Sequence, residues 1–327
     1  MREGRAFFAA SQAEWRPTSP TGSIESWPLL DRIGYRMAWA AGISLCLIAA
    51  AIVIFMAIKG LQFLSFSLLT EPPVESLDQS KSGGFLDPLI GTVVLTVVGT
   101  VIAAPLGIAT AMWLSEYARP AWLARAVESG VEVVAGTPTI VLAIFGLLLF
   151  QQQIFEFMSF VAEGDAVFGR SFLIAGAMMS LIALPLIVGA TREALQSVPG
   201  HVREASYALG KTKAATIRRV LLPAVRPGIG TGVALGMGRI AGDTAIVIIL
   251  LGNSLRLEEG TGFPILGDLR GTGSTLTSYV FVNSPAGEGN APEKAYAAAF
   301  VLLMIVIALN FSIDRIARGK RVPEWTR

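Results

Sequence analysis

Arg203-Glu204-Ala205-Ser206-Tyr207-Ala208-Leu209-Gly210, followed nine residues later by Val220-Leu221-Leu222-Pro223, is a polar, helix-prone stretch held between two long apolar runs. The chain around it is 53% hydrophobic and 15% charged over 327 residues, too apolar for a soluble domain of that length. A compact polar element set on one side of a bilayer implies that something soluble grips it there. The chain therefore reads as part of a machine, not as a free-standing channel or enzyme.

Charge and composition exclude several classes. The formal net charge is +2, which gives no basis for binding nucleic acid. Cys46 is the single cysteine and lies in an apolar run, so neither a disulfide framework nor a thiolate metal site is expected. His201 is the single histidine, which rules out a multi-histidine metal centre, and no cofactor is expected. Residues 1–36 are polar, carry Pro17, Pro20 and Pro28, and precede the first apolar run at Met37. They read as a disordered cytoplasmic tail leading into a retained first span. Residues 37–327 then form the transmembrane domain.

Six segments are long enough to cross a hydrocarbon core, which takes roughly 20 helical residues. They lie at 37–58, 89–114, 133–150, 172–190, 228–251 and 295–313. The expected fold is therefore all-α and polytopic, with six transmembrane helices. Pro105 interrupts the second segment and Pro138 the third, as membrane helices tolerate when neighbours satisfy the freed carbonyls. Of the 26 Lys and Arg residues, nineteen fall in the tail, the 115–131 and 192–226 loops and the C-terminus, against six in the alternate loops. That bias places both termini and the 192–226 loop in the cytoplasm.

Within that loop, residues 202–210 favour helix, Gly210 breaks it, and 211–219 resume it before Pro223 and Pro227 mark the start of the fifth span. Two short helices angled by a glycine make a knob that fits a groove on a soluble partner. A basic amphipathic segment lying on anionic lipid is the competing reading, and the residues alone leave both open. Gly210-Lys211-Thr212 has the tail of a phosphate-binding loop, but Ala205 stands where the first glycine belongs. Nucleotide is not bound that way.

Glu204-Ala205-Ser206, Gly210 and Val220-x-Leu222-Pro223 resemble the glutamate-alanine-alanine signature of bacterial ABC importer permeases, with Ser206 and Val220 as mild departures. Three further stretches are similar to the phosphate-transport branch, the PstA/PstC type. They are Pro105-Leu106-Gly107 through Trp113-Leu114-Ser115-Glu116-Tyr117-Ala118, then Gly136-Thr137-Pro138-Thr139, then Gly238-Arg239-x-x-Gly242-Asp243-Thr244-Ala245. The likeness covers about residues 85–315 and implies a type I ABC importer permease fold in the bacterial inner membrane. It also implies a second permease subunit forming a heterodimer, two cytoplasmic ATPase subunits, an extracytoplasmic phosphate-binding protein, and no enzymatic site on this chain. The 203–223 segment, with Glu204, Ala205, Ser206, Gly210, Leu222 and Pro223, would couple to the ATPase. The Glu293-Lys294-Ala295-Tyr296-Ala297-Ala298 start of the last span favours PstA, while Gly252-Asn253 is closer to PstC. Where this branch commonly has Gly-Glu-Thr, this chain has Gly242-Asp243-Thr244, one methylene shorter.

The fifth span carries the substrate chemistry. Arg239 and Asp243 are four residues apart, hence about 40° apart on one continuous helix face. Each ionised side chain at mid-bilayer costs on the order of 3 kcal/mol, so roughly 6 for both if unpaired. Either they neutralise each other so that the helix inserts, or they face a wet pathway. In the second case the guanidinium fork matches two oxygens of a phosphate and stays charged at any relevant pH. Arg239 is then the oxyanion contact, Asp243 its counter-ion and Thr244 a neighbouring pathway residue.

Other features have structural readings. Gly228, Gly232, Gly236, Gly238 and Gly242 form a small-residue ladder that lets helices approach closely. Glu132 and Arg192 read as interfacial anchors, Asn310 as an interhelical hydrogen-bonding group, and Glu204 also as a first-turn acid favouring a helix N-terminus. A transmembrane enzyme lacks a nucleophile–base pair or metal ligands at depth. An ion-coupled secondary transporter usually shows internal repeats, and none is visible. Sulfate, molybdate and phosphonate remain rival substrates to phosphate.

Overall fold

A computed structural model of the chain describes residues 27–74, 83–159, 169–252, 268–285, 287 and 291–318. The first 26 residues of the expected tail, residues 253–267 of the 252–294 loop with Asn253 among them, and the last nine residues lie outside the described residues.

Five described helices are long and apolar enough to cross a membrane, and a bent pair, which is either one broken span or a re-entrant loop, brings the number to six when counted as a span. α1 (Leu29–Phe63) starts eight residues before the expected span. Its leading turns carry an aromatic ladder, Trp27 edge-on to Tyr35 at 5.7 Å and Tyr35 to Trp39 at 6.3 Å, suited to a membrane–water boundary. Of the described residues, those up to Phe55 belong to one compact unit and those from Met56 onwards to a second. Within the second unit come α2 (Phe66–Thr70), α3 (Leu86–Met112), α4 (Ala121–Gly136) and α5 (Thr139–Phe150). After them follow α6 (Phe172–Ser197), α7 (Gly200–Ala208), α8 (Lys213–Thr216) and α9 (Leu222–Gly242). The last three are α10 (Ala245–Leu250), α11 (Leu276–Asn283) and α12 (Pro292–Arg318).

α6 is the hub. It contributes Phe172, Ile174, Met178, Met179, Ala183 and Ile187 to one core with Leu95 and Ala103 of α3, Ile240 of α9 and Ile246 and Leu250 of α10. Glycine sets how closely its neighbours approach. A Cβ on Gly232 would meet the Ala190 side chain at 3.0 Å, one on Gly236 would meet Ile187 at 3.1 Å, and one on Gly228 would collide with Ala194. The ladder is therefore a packing surface for α6 as far as Gly236. It ends there: a Cβ on Gly238 reaches only Val306 at 4.0 Å, and Gly242 has nothing within 4 Å.

Two expected spans are broken. The segment at 133–150 is not one helix, because α4 and α5 meet at 108° across Thr137-Pro138. Pro138 has no N–H to continue the ladder, and it pushes Thr137 into extended backbone at φ −79°, ψ 130°. The Thr137 hydroxyl donates to the Val133 carbonyl at 2.7 Å, satisfying one acceptor that the break exposes. Pro105 and Pro185, by contrast, sit inside continuous helices. The fifth span also stops, at Gly242, and resumes at Ala245 after Asp243 takes extended backbone at φ −79°, ψ 135°.

Candidate functional site: a docking knob and an arginine cavity

The knob consists of α7, a turn at Gly210, α8 and a π-helical turn over Ile217–Leu221 that runs straight into α9. Gly210 sits at φ +72° with no atom within 4 Å of where a Cβ would be, so the turn demands its backbone freedom and not its small size. Thr212 then caps α8 by accepting from the Ala215 N–H at 3.3 Å. The Ser206 and Thr216 hydroxyls bond across the two helices at 2.8 Å in a buried position. Ser206 is thus no random departure from the signature; its hydroxyl closes the knob. Glu204, Ala205 and Tyr207 face outward, and Leu209 is 78% exposed. Leu222 is half-buried and Pro223 exposed at the start of α9, above a root formed by Leu195, Val198, Ile217, Leu221 and Val225.

Arg203, at the head of the stretch, fastens the knob. Its Nη1 donates to the Val198 carbonyl at 2.8 Å, its Nη2 to the Leu195 carbonyl at 2.7 Å, and its Nε to Glu116 Oε1 at 3.1 Å. Glu116 belongs to the π-helical turn Trp113–Tyr117 that ends α3, and its side chain is 7% exposed. Lys213 reaches the same residue from the other leg of the knob, donating to the Glu116 carbonyl and lying 4.8 Å over the Tyr117 ring. Both residues stand in motifs quoted above, yet nothing local assigns them a role. Only the fold brings positions 87 residues apart together.

Arg239 lies in the last turn of α9, exposed, and makes no hydrogen bond or ion pair among the described residues. It lines a cavity of about 260 Å³ with Val134, Ala135, Thr137, Thr139, Ile182, Pro185 and Leu186. The break between α4 and α5 therefore opens onto this guanidinium. The N-terminus of α5, which has no side-chain cap, begins at Thr139 on the same wall. A guanidinium with no partner among the described residues, the Thr139 hydroxyl and a helix N-terminus together favour a negatively charged, oxygen-rich guest.

Asp243 is turned elsewhere. Its Oδ1 accepts from the Ile246 N–H at 3.0 Å, capping α10, while its carbonyl accepts from the Thr277 hydroxyl at 3.2 Å. The residue is 7% exposed, and it forms no ion pair with Arg239. The continuous helix face that would have held the two together does not exist, because the helix stops between them. A short aspartate caps a helix better than a glutamate does, so the shorter side chain of this chain's Gly-Asp-Thr fits the break. Thr244 is half-buried at the residue just before the restart.

Three remaining residues are also placed. Arg192 pairs with Glu128 at 2.6 Å, tying α6 to α4 rather than anchoring alone. Glu132 is exposed. The Asn310 Oδ1 is buried and makes no hydrogen bond among the described residues, so the expected interhelical bond through that oxygen is not seen there.

Residues 103–321 match the family described as the inner membrane component of binding-protein-dependent transport systems. The chain belongs to this family. It is 34% identical over 292 residues to "Probable ABC transporter permease protein YqgH" of Bacillus subtilis, covering 86% of this chain and 89% of the relative. It is 32% identical over 257 residues to the phosphate transport system permease protein PstA 1 of Mycobacterium tuberculosis, covering 76% and 75%. To the phosphate transport system permease protein PstC of Xylella fastidiosa it is 29% identical over 274 residues, covering 79% and 78%. PstA and PstC relatives thus stand at similar distance. Among solved structures, a permease of a methionine ABC transporter superposes with a TM-score of 0.56 at 19% identity over 72% of this chain and 96% of that one. A chain of a bacterial alginate ABC transporter superposes with a TM-score of 0.59 at 15% identity over 88% and 95%. The fold is the type I importer permease fold, and the chain is a multi-pass permease of an ABC importer.

Proposed function

We propose that this chain is one of two permease subunits of an ATP-driven importer that moves inorganic phosphate into the cytoplasm. The observation that carries the substrate reading is Arg239. A guanidinium without a partner among the described residues faces a cavity of about 260 Å³ beside Thr137 and Thr139. Leaving an arginine so exposed at span depth costs about 3 kcal/mol unless it meets water or an anion. Its fork suits two phosphate oxygens, and the Thr139 hydroxyl and the α5 N-terminus suit the others. The phosphate permeases among the relatives support the same substrate class.

In this reading Asp243 and Thr244 form the hinge between α9 and α10, and Asp243 becomes the counter-ion of Arg239 only when the hinge moves and the anion has left. A guanidinium without such a competitor would hold a dianion too tightly to release it. The 203–223 knob, lying on the cytoplasmic side with both termini, seats in a cleft of an ATPase subunit through Glu204, Ala205 and the exposed Tyr207 and Leu209. A second permease, two ATPase subunits and an extracytoplasmic binding protein complete the machine, with residues 37–327 as the membrane domain.

The test is uptake of radiolabelled phosphate by the reconstituted complex, competed with sulfate, molybdate and phosphonate. Phosphate as the strongest competitor supports the reading. Transport that ignores phosphate and follows another oxyanion overturns it.

A further inference from the structure

We propose that Arg203 and Glu116 are positioning residues that bolt the docking knob to α3 and α6 at once, so that a pull on the knob moves both spans in register. The inference rests on the docking role just given to the knob.

The geometry carries it. Leu195 and Val198 lie at the C-terminal end of α6, where the last carbonyls have no partner within their own helix. Arg203 supplies those partners from α7, through two separate nitrogens at 2.7 and 2.8 Å. Its third nitrogen reaches Glu116 at the end of α3 at 3.1 Å. One side chain therefore joins three elements in three directions. A lysine, a single point charge, cannot reproduce that arrangement. Glu116 is also held from the second leg of the knob, since its carbonyl accepts from Lys213. Both legs end on one residue of α3, and the Ser206–Thr216 bond at 2.8 Å keeps the legs from parting.

An element fixed at one point can swivel under load without moving what it is fixed to. Fixed through both legs and to two spans, the knob transmits tilt. The buried carboxylate of Glu116 makes the joint stiff, because breaking the pair would leave a charge with little water around it.

The experiment uses the whole complex in proteoliposomes, with phosphate uptake and ATP hydrolysis measured in the same vesicles. Arg203→Gln and Glu116→Gln should each keep the ATPase subunits bound and hydrolysis within about twofold, while phosphate moved per ATP falls by about tenfold. The double variant should be no worse than either single one, because each removes the same joint. Arg203→Lys should fall between. Glu116→Gln keeps the side-chain shape and both carbonyl bonds of Arg203, so it reports on the joint even if Arg203→Gln does not assemble. An unchanged ratio in an intact complex overturns the proposal, as does a parallel fall of uptake and hydrolysis, which would mean mere structural support. The docking role fails separately: Glu204→Ala and Gly210→Ala would then leave ATPase retention untouched.

Discussion

Arg203 and Arg239 are the same side chain in opposite circumstances. Arg203 has all three kinds of guanidinium nitrogen engaged, on two carbonyls and a carboxylate, at the root of the knob. Arg239, 36 residues later, has no partner among the described residues and faces a cavity. The first is engaged at every nitrogen by the chain itself, so it acts by joining one element of the chain to another. The second leaves its donors unused by the described chain, as the proposed phosphate contact requires. The difference teaches that a charged residue's role is set by whether the fold completes its hydrogen bonds, not by its type.

The largest expected effect separates the two directly. Arg239→Leu should reduce phosphate uptake by about 100-fold, the loss of two charge-assisted hydrogen bonds to the anion, while the complex assembles with undiminished thermal stability. Normal uptake by an intact Arg239→Leu complex would remove Arg239 from the pathway. Arg203→Leu should do the reverse to stability: it strands a buried carboxylate and two carbonyls, lowering unfolding stability by about 3 kcal/mol in a denaturation series. If Arg203→Leu melts with the wild type, its bonds do not matter to the fold and the contrast collapses.

Gly210→Ala adds no clash, so its cost is that of holding alanine in left-handed backbone, about 1 kcal/mol. Co-purification of the ATPase should drop a fewfold without loss of permease folding. Asp243 sharpens the cavity side. Asp243→Ala loses the cap of α10 and about 1 kcal/mol of stability, whereas Asp243→Asn still caps and should be nearly neutral by thermal melting. If Asp243→Asn nevertheless alters phosphate affinity or turnover, the carboxylate charge acts in the cycle; unaltered kinetics would leave it only its cap. The smallest effect is Ser206→Ala, which removes the bond closing the knob but leaves Thr216 bonded to the Thr212 carbonyl at 3.1 Å. It should cost about 0.5–1 kcal/mol, visible as faster hydrogen exchange in residues 204–216.

Much of this was readable in advance. Long apolar runs report membrane crossings because every residue of such a run must tolerate lipid, whatever its neighbours. The knob was readable because helix formers and Gly210 act locally, and the packing ladder because small residues four apart must share a face. Reading failed where local signals compete. Pro138 looked like a tolerated interruption, as Pro105 and Pro185 are, and instead turns the chain by 108°. Asp243 looked like the counter-charge of Arg239 on one helix face, and instead caps the next helix after the first one stops. In each case a side chain or a missing N–H competes with the backbone ladder, and only packing decides the winner.

The amino-acid sequence by itself determined an all-helical membrane chain, a polar knob between its fourth and fifth spans, and an arginine stranded among apolar residues. These follow from solvation, which acts on each segment independently. The tertiary structure alone decided which carbonyls and which carboxylate Arg203 grips, and that the broken third span would open a cavity against Arg239. Those partners are separated by up to 105 residues, from Val134 to Arg239. Hydrogen bonds reach only about 3 Å, so they become defined when packing has brought such distant positions together.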